Sequence, residues 1–288
     1  DGRPATGAER DQQLGSTPSR LDSAAGAAVK WRFMPQLLEG KTALILGVAN
    51  RWSLAYAIAQ SFRREGAKLL LTYQGERQKE TVEELGAELG AAAIFDCDVT
   101  KDADLVRLTE TLRPHGTLHA VVHSIAFANR EDLSRPFLET SRDGFALAHD
   151  VSAYSLVAVA RATAPLMTEG GSLTSLTYLG STRVATNYNV MGVAKAALEA
   201  STRYLASELG AQNIRVNTIS AGPVKTTSAR GVKDFGKMLE AVAAKSPLKR
   251  NCEPAEVGDT ALFLASDLGR GVTGNILFVD AGYQIMAL

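Results

Sequence analysis

From residue 41 onward, short apolar runs alternate with longer amphipathic segments. The first run, "TALILGV" at residues 42–48, is followed by Leu54, Ile58 and Phe62 at i, i+4 and i+8. This spacing predicts a helix that begins at Ser53 and ends near Gly66. The run "KLLLTY" at residues 68–73 and a charged helical segment over 76–90 repeat the same order.

The alternation continues to the end of the chain. Further strands are predicted in "AAIFDCDV", "LHAVVHS", "GSLTSLTYL", "IRVNTIS" and "NILFVD", and further helices near 103–113, 142–167, 188–209 and 255–265. Continuous apolar runs bounded by turns are typical of parallel strands that are buried on both faces. Right-handed crossovers then predict an α/β fold over residues 35–288: a single-domain, doubly wound, Rossmann-type parallel sheet with helices on both faces.

The first 33 residues differ from the rest, since they are rich in Gly, Ala, Ser and charged residues and show no apolar periodicity. They lack the apolar block of a secretory signal, and their acids Asp1, Glu9, Asp11 and Asp22 fit poorly with an organelle transit peptide. We expect residues 1–33 to be a disordered or non-native extension upstream of a true start at Met34.

The composition narrows the possible partners. The 288 residues include 31 basic and 31 acidic side chains, so net charge favours neither nucleic acid nor an anionic membrane as a partner. No apolar run reaches the ~18 residues of a membrane span. Cys97 and Cys252 form no CxxC pair, and the four histidines show no HExxH spacing. We therefore expect a cytoplasmic protein without a disulfide framework or a metal site.

Candidate binding residues follow the predicted strands, where open α/β sheets bind ligands. Gly47 follows the first strand, and Ser53 could either cap the next helix or mark backbone N–H groups that hold a pyrophosphate. Gln74 follows the second strand and is neutral, with Arg77 as the nearest base, which favours NADH over NADPH.

The third strand ends in Asp98 and Val99. Asp98 could accept a hydrogen bond from the amine of adenine, and Val99 could form an apolar wall beside the ring. The alternative is that Asp98 caps the following helix. The fourth strand ends in Ser124, Ile125 and Ala126, which are small enough to let a dinucleotide lie near the backbone.

The clearest chemical pattern is Tyr188 followed seven residues later by Lys195. At ~100° per residue this separation is roughly 700°, within about 20° of two helical turns, so Tyr188, Met191 and Lys195 are predicted to share one helix face. The charge of Lys195 would favour a polarised or partly ionised Tyr188 and could hold a cofactor ribose. A tyrosine so placed can donate a hydrogen bond to a substrate oxygen that gains negative charge.

Several motifs in order carry a family resemblance: "GVANRWSLAYAIA", "LTYQ", "CDV", "VHSIAFA", "YLGSTRVATNYNVMGVAKAALEA", "IRVNTISAGPVKT" and "LFVDAGY". Over about residues 35–288 the chain resembles the NADH-dependent, single-chain bacterial enoyl-acyl-carrier-protein reductases, divergent short-chain dehydrogenases/reductases. The resemblance implies a homotetramer that transfers a hydride from NADH to the trans-2 double bond of a carrier-bound enoyl chain, the last reductive step of fatty-acid elongation.

The resemblance also implies roles for particular residues. Tyr178, Tyr188 and Lys195 would be catalytic: Tyr188 would donate to the thioester carbonyl, Lys195 would hold the nicotinamide ribose, and Tyr178 would line the acyl pocket. Substrate would also touch Ala128. The implied cofactor contacts are Gly47, Ser53, Leu54, Gln74, Asp98, Val99, Ile125, Lys195, Val224, Lys225, Thr226, Thr227 and Ser228. No metal or flavin is implied, because the nicotinamide carries the hard step.

The segment "AGPVKTTSARGVKDFGKMLEAVAAK" at residues 221–245 would be a substrate lid. Its basic residues could receive an acidic carrier protein: Lys225, Arg230, Lys233 and Lys237. The alternative is a packed surface helix with a solvated basic face.

Small departures from the family pattern leave every catalytic group in place. Ala126 stands where a glycine is common, "VATNY" lacks a proline before Asn-Tyr, and "VDAGY" replaces a double glycine. One rival interpretation is another short-chain reductase, acting on a ketone or an alcohol. Such enzymes carry Tyr-x3-Lys, whereas residue 192 is glycine here. A second rival, an NADH sensor without turnover, would need neither the tyrosine–lysine pair nor a basic-rimmed lid.

Overall fold

The computed structural model of the protein describes residues 36–226 and 235–287. Its strands are β1 (Thr42–Leu46), β2 (Lys68–Tyr73), β3 (Ala93–Asp96), β4 (Ala120–His123), β5 (Gly171–Thr177), β6 (Ile214–Ala221) and β7 (Ile276–Val279). Its helices are α1 (Leu54–Arg64), α2 (Glu76–Leu89), α3 (Asp102–Leu112), α4 (Arg130–Ser134), α5 (Arg142–His149), α6 (Ser155–Thr163), α7 (Asn189–Leu209), α8 (Phe235–Lys245) and α9 (Pro254–Ala265). Residues 1–33, expected to be an extension, lie outside the described residues.

The seven strands form one parallel sheet in the order β3-β2-β1-β4-β5-β6-β7, which confirms the doubly wound fold. Alternate side chains of each strand point to opposite faces. Ile45 and Leu71 pack in one buried cluster with residues of α1, α2 and α9. Leu44 and Val121 pack in a second cluster with residues of α3, α6 and α7. Both faces of the sheet are therefore covered, as the continuous apolar runs indicate.

The predicted helix over residues 142–167 is interrupted in the structure. A π-helical turn at Asp150–Tyr154 separates α5 from α6, and the final turn, Ala164–Leu166, is a 3-10 helix. The wide turn coincides with a tertiary contact, because the Ser152 hydroxyl accepts from the Phe127 N–H at 2.9 Å and donates to the Phe127 carbonyl at 3.0 Å. Helix α4 has only five residues, too few to show an apolar period, and the sequence pattern did not predict it.

The start of α7 corrects the helical placement of Tyr188. The helix begins at Asn189, and Tyr188 precedes it with φ −100° and ψ −29°. Its neighbours Asn187 and Asn189 have φ of +64° and +39°. Asparagine tolerates positive φ better than other side chains do, so two flanking asparagines permit this irregular turn. The prediction that Tyr188 and Lys195 share a face of one regular helix is therefore wrong at Tyr188.

Among the helices of residues 36–226 and 235–287, none is long and apolar enough to cross a membrane. The chain's two cysteines, Cys97 and Cys252, are both buried and free. Within the same described ranges, no three His, Cys, Asp or Glu side chains are grouped as metal ligands would be.

Candidate active site

The residues proposed from the sequence follow the carboxyl ends of six adjacent strands. Because the strands are parallel, these ends meet at one edge of the sheet. In the order of the strands, β1 to β6, the residues are Gly47, Gln74, Asp98, Ile125, Tyr178 and Val224. Thr227 and Ser228 lie outside the described residues.

At the centre of this edge, Gly47 and Ser124 bring the ends of β1 and β4 together. Gly47 has φ +100°, and a Cβ at this position would collide with the carbonyl oxygen of Ser124. Only glycine fits such a close approach in this conformation. The chain places β2 and β3 on one side of β1 and then crosses over to place β4 on the other side. Dinucleotides bind at such a topological switch point in sheets of this kind.

Helix α1 starts beside this switch point. Ser53 caps it, since the Ser53 hydroxyl accepts from the Tyr56 N–H at 3.3 Å, and Leu54 is the first helical residue. The capping interpretation of Ser53 is thus confirmed. The N-terminal turn of a helix also favours anions, so the cap and a pyrophosphate site are compatible.

Gln74 and Asp98 are brought together at the ends of β2 and β3, close enough for the Gln74 side chain to help lower the pKa of Asp98. Asp98 also accepts from the Thr100 hydroxyl at 2.7 Å and from the Thr100 N–H at 3.1 Å. Burial acts to raise the pKa of Asp98, but the hydrogen bonds from Thr100, Gln74 and Lys101 hold it below the usual range. Asp98 does not cap α3, since Lys101 holds the N-cap position of that helix.

The remaining predicted contacts differ in exposure. Val99 and Val224 are buried, Ile125, Ala128 and Thr226 are partly buried, and Lys225 is exposed. The Thr226 N–H donates to the Val224 carbonyl at 2.7 Å, which turns the chain sharply after β6.

The last two residues of β5 and Tyr178, which follows them, contact three side chains of α7 and of the turn before it. The Leu176 carbonyl accepts from Lys195 Nζ at 2.8 Å. The Thr177 hydroxyl donates to Glu199 Oε1 at 2.7 Å. The Tyr178 ring meets the Tyr188 ring edge to face, with centroids 5.1 Å apart and planes at 72°.

Two glycines shape the floor under Tyr188. A Cβ at Gly180 would lie 2.5 Å from Tyr188 Cδ1, and a Cβ at Gly192 would lie 2.7 Å from the Gly180 carbonyl oxygen. Residue 192 is where a Tyr-x3-Lys enzyme has its lysine. Since even a Cβ lacks room there, this backbone is incompatible with that arrangement.

Burial sets the protonation of the central groups. It raises the pKa of Tyr188, and Tyr178 and Glu199 raise it further. It also raises the pKa of Tyr178 to about 12 and lowers the pKa of Lys195 to about 8, an effect that Glu199 opposes. At neutral pH the two phenols are un-ionised donors and Lys195 is an ammonium. Of the two forms expected of Tyr188, polarised or partly ionised, burial favours the polarised phenol.

A cavity of about 500 Å³ opens beside Tyr178. It lies between the chain that follows β5, helix α8 and the C-terminal residues; its lining includes Tyr178, Gly180, Arg183, Val184, Lys237, Met238, Val242, Lys245, Tyr283 and Met286. Helix α8 contacts the site directly, since the Tyr178 hydroxyl donates to Met238 Sδ at 3.6 Å. Of the basic residues predicted for the lid, Lys237 reaches this cavity, whereas Arg230 and Lys233 lie outside the described residues.

Sequence reasoning missed Glu199 and the contact of His123, whereas Met238 lies in the segment 221–245 that was predicted as a lid. The four-residue spacing from Lys195 to Glu199 could have revealed the first, because residues i and i+4 are neighbours on a helix. His123 Nε2 lies 2.8 Å from the Ser155 hydroxyl, which itself donates to the Val151 carbonyl, so His123 Nε2 is the donor. No sequence signal marks that contact.

Comparison with known proteins agrees with this geometry. The model of the family described as Enoyl-(Acyl carrier protein) reductase matches residues 47–284. The Bacillus cereus NADH enoyl-acyl-carrier-protein reductase FabI is 54% identical over 254 residues, which cover 87% of this chain and 99% of that protein. The Staphylococcus aureus FabI, an NADPH enzyme by name, is 49% identical over 250 residues, covering 86% and 98%.

The fold is also similar to that of a solved relative. The crystal structure of the Bacillus cereus enoyl-acyl carrier protein reductase with NADP+ and indole naphthyridinone superposes with a TM-score of 0.87. Its sequence identity is 54%, and the match covers 88% of this chain and all of that one.

Proposed function

The chain belongs to the enoyl-(acyl carrier protein) reductase family, and we propose that it reduces the trans-2 double bond of enoyl chains carried on acyl carrier protein. The electron donor is a nicotinamide dinucleotide, and the product is the saturated acyl chain of the fatty-acid elongation cycle. The observation that carries this proposal is the set of Tyr178, Tyr188 and Lys195 at the end of β5, beside a cavity of about 500 Å³.

The residues at the strand ends fit a dinucleotide. Because Gly47 has no side chain, a dinucleotide can lie directly against the backbone at the end of β1. The N-terminus of α1, at Ser53 and Leu54, suits the pyrophosphate of that dinucleotide. Gln74, Asp98, Val99 and Ile125 would hold the adenosine half, and Lys195 with Val224 to Ser228 the nicotinamide half. When bound, the nicotinamide supplies a hydride to the β-carbon of the conjugated thioester.

The catalytic side chains respond to the charge that this step creates. When hydride adds to the β-carbon, the double bond breaks and its electron pair passes to the thioester oxygen as an enolate; a proton added at the α-carbon then completes the saturated chain. The un-ionised Tyr188 donates a hydrogen bond to that oxygen, a preorganised interaction that strengthens in the transition state. The Lys195 ammonium holds a ribose hydroxyl and so fixes the reacting ring. Tyr178 lines the acyl pocket, and Ala128 contacts the substrate.

We further infer that NADH is preferred to NADPH. Two carboxylates lie at the end of β2: Asp98, which is close to Gln74, and Asp96, whose Oδ1 accepts from the Gly75 N–H at 2.9 Å. A 2′-phosphate on the adenosine ribose would be repelled by both, whereas ribose hydroxyls could donate to them. Cations offset part of this repulsion: Lys101 pairs with Asp98 at 3.4 Å, Arg107 pairs with Asp96 at 4.0 Å, and Arg77 lies on α2.

The partners follow from charge and exposed apolar surface. Arg183, Lys237 and Lys245 line the cavity and suit an acidic carrier protein, with Lys225 exposed nearby in sequence. Exposed aromatic side chains on α5 to α7 support a homotetramer: Phe145, Tyr154 and Tyr204. Two free, buried cysteines suit the reducing cytoplasm.

One assay separates the proposed function from its rivals. Oxidation of NADH and of NADPH is followed with crotonyl and longer trans-2-enoyl thioesters, and with ketones as controls. We expect enoyl reduction with both cofactors, a higher kcat/KM for NADH, and no ketone reduction. Ketone reduction without enoyl reduction would favour the other short-chain reductases, and cofactor binding without any turnover would favour a sensor.

A further inference from the structure

Helix α7 buries two charged side chains one turn apart. Lys195 and Glu199 are each only 6% exposed. Burying an ion costs free energy unless the ion is hydrogen-bonded and near an opposite charge. Lys195 is explained by the proposed chemistry, whereas Glu199 has no role in it.

The structure holds the Glu199 carboxylate in place. The Thr177 hydroxyl donates to it at 2.7 Å, and the preceding residue of β5, Leu176, accepts from Lys195 at 2.8 Å. The two α7 side chains are thus fastened to neighbouring residues of the same strand. The carboxylate cannot turn to solvent without breaking the bond to Thr177, so its charge stays buried, one helical turn from Lys195.

We propose that Glu199 is a positioning residue, whose buried carboxylate keeps Lys195 in its ammonium form. This inference rests on the proposed function, since the ammonium is the form that holds the ribose. Glu199 acts through its charge on Lys195 and does not touch the substrate.

The other groups around Lys195 leave this role to Glu199. Burial, and after it the charge of Lys195, lowers the pKa of His123, on β4, to about 3, so His123 is neutral. Tyr178 and Tyr188 are un-ionised, because burial raises the pKa of each. Glu199 is the acid among these groups, and its field raises the pKa of both Lys195 and Tyr188. A carboxylate favours the protonated state of both neighbours.

The test is Glu199→Gln, which keeps the size and an acceptor for Thr177 but removes the charge. Cofactor affinity and kcat/KM are measured from pH 6 to pH 10. Cofactor affinity and kcat/KM should each begin to fall at a lower pH than in the wild type. For each pH unit by which this alkaline limb of the profile moves, the value at a given alkaline pH should drop about tenfold. Near pH 6 the variant should bind cofactor almost as the wild type does. The matched control is Glu208→Gln, an exposed glutamate of the same helix, which should leave the profile unchanged.

Two further variants keep the test decisive if Glu199→Gln folds poorly. Glu199→Asp keeps the charge and should largely restore the wild-type limb, whereas Thr177→Val frees the carboxylate and should move the limb partway. An alkaline limb that stays in place in Glu199→Gln or Thr177→Val would overturn the proposal. The binding profile needs no turnover, so absence of enoyl reduction would defeat the proposed function while leaving this test intact.

Discussion

Tyr188 rests on the backbone of Gly180, so closely that a Cβ at residue 180 would lie 2.5 Å from Cδ1 of the phenol ring. The same glycine's carbonyl oxygen closes the space beside Gly192. The turn after β5 therefore fixes the height of the ring above the sheet edge, so the proposed donor, Tyr188, depends on a residue that has no side chain.

Gly180→Ala should displace the Tyr188 ring and lower kcat for an enoyl thioester about 10-fold to 10²-fold, since small misplacements of a catalytic group are costly. Overpacking should also lower the stability by about 1–3 kcal/mol. Steady-state kinetics and thermal unfolding measure the two effects. Gly210→Ala is the control, because a Cβ at Gly210 meets nothing within 4 Å. Wild-type kinetics in Gly180→Ala would show that the ring is not held by this contact.

Tyr188→Phe should lower kcat by about 10²-fold or more, the usual loss when one transition-state donor is removed. Cofactor binding should remain nearly unchanged, since Tyr188 acts on the substrate oxygen. Stopped-flow turnover and calorimetric titration with NADH separate the two quantities. Turnover close to that of the wild type would remove Tyr188 from the mechanism.

Lys195→Ala should weaken NADH binding, and Lys195→Arg should retain part of it, because charge survives while the geometry changes. The pKa of Lys195 is lowered to about 8, so the ammonium is present below that pH and is lost as pH rises through it. Wild-type affinity for NADH should therefore fall between about pH 7 and pH 9, and Lys195→Ala should lack this fall. Calorimetry over this range tests the assignment, and normal binding by Lys195→Ala would contradict it.

Helix α8 should open easily in the free enzyme, because it buries only Leu239 and Val242 and reaches the site through Met238. Amide hydrogens of Phe235–Lys245 should exchange quickly without ligand. They should be protected when NADH and an acyl substrate analogue bind together. Hydrogen exchange with mass spectrometry measures this, and equal protection in both states would identify α8 as fixed structure.

The protein should be a tetramer at micromolar concentration. Tyr204 on α7 is 81% exposed and Tyr154 is 47% exposed, and large exposed aromatic groups on neighbouring elements are typical of interfaces. Light scattering should report four chains, and Tyr204→Glu should shift the equilibrium towards smaller species. A stable wild-type monomer would rule out the tetramer, and an unshifted Tyr204→Glu tetramer would place its interface elsewhere.

The sequence by itself determined the layered sheet and which residues meet at its carboxyl edge. Apolar runs and helical periods are local signals, and parallel strands bring their ends together whatever their separation along the chain. Gly47, Gln74, Asp98, Ile125 and Tyr178 could therefore be named in advance as neighbours of one site. The capping role of Ser53 was also local, since a cap bonds within its own first turn.

Only the tertiary structure decided how the proposed catalytic groups are held. Tyr188 lies before α7, because Asn187 and Asn189 adopt positive φ, a backbone choice that helical spacing does not encode. The burial of Glu199 depends on β5, whose Thr177 stands 22 residues earlier. Burial also favours the polarised over the partly ionised form of Tyr188, because desolvation is set by packing from several elements at once.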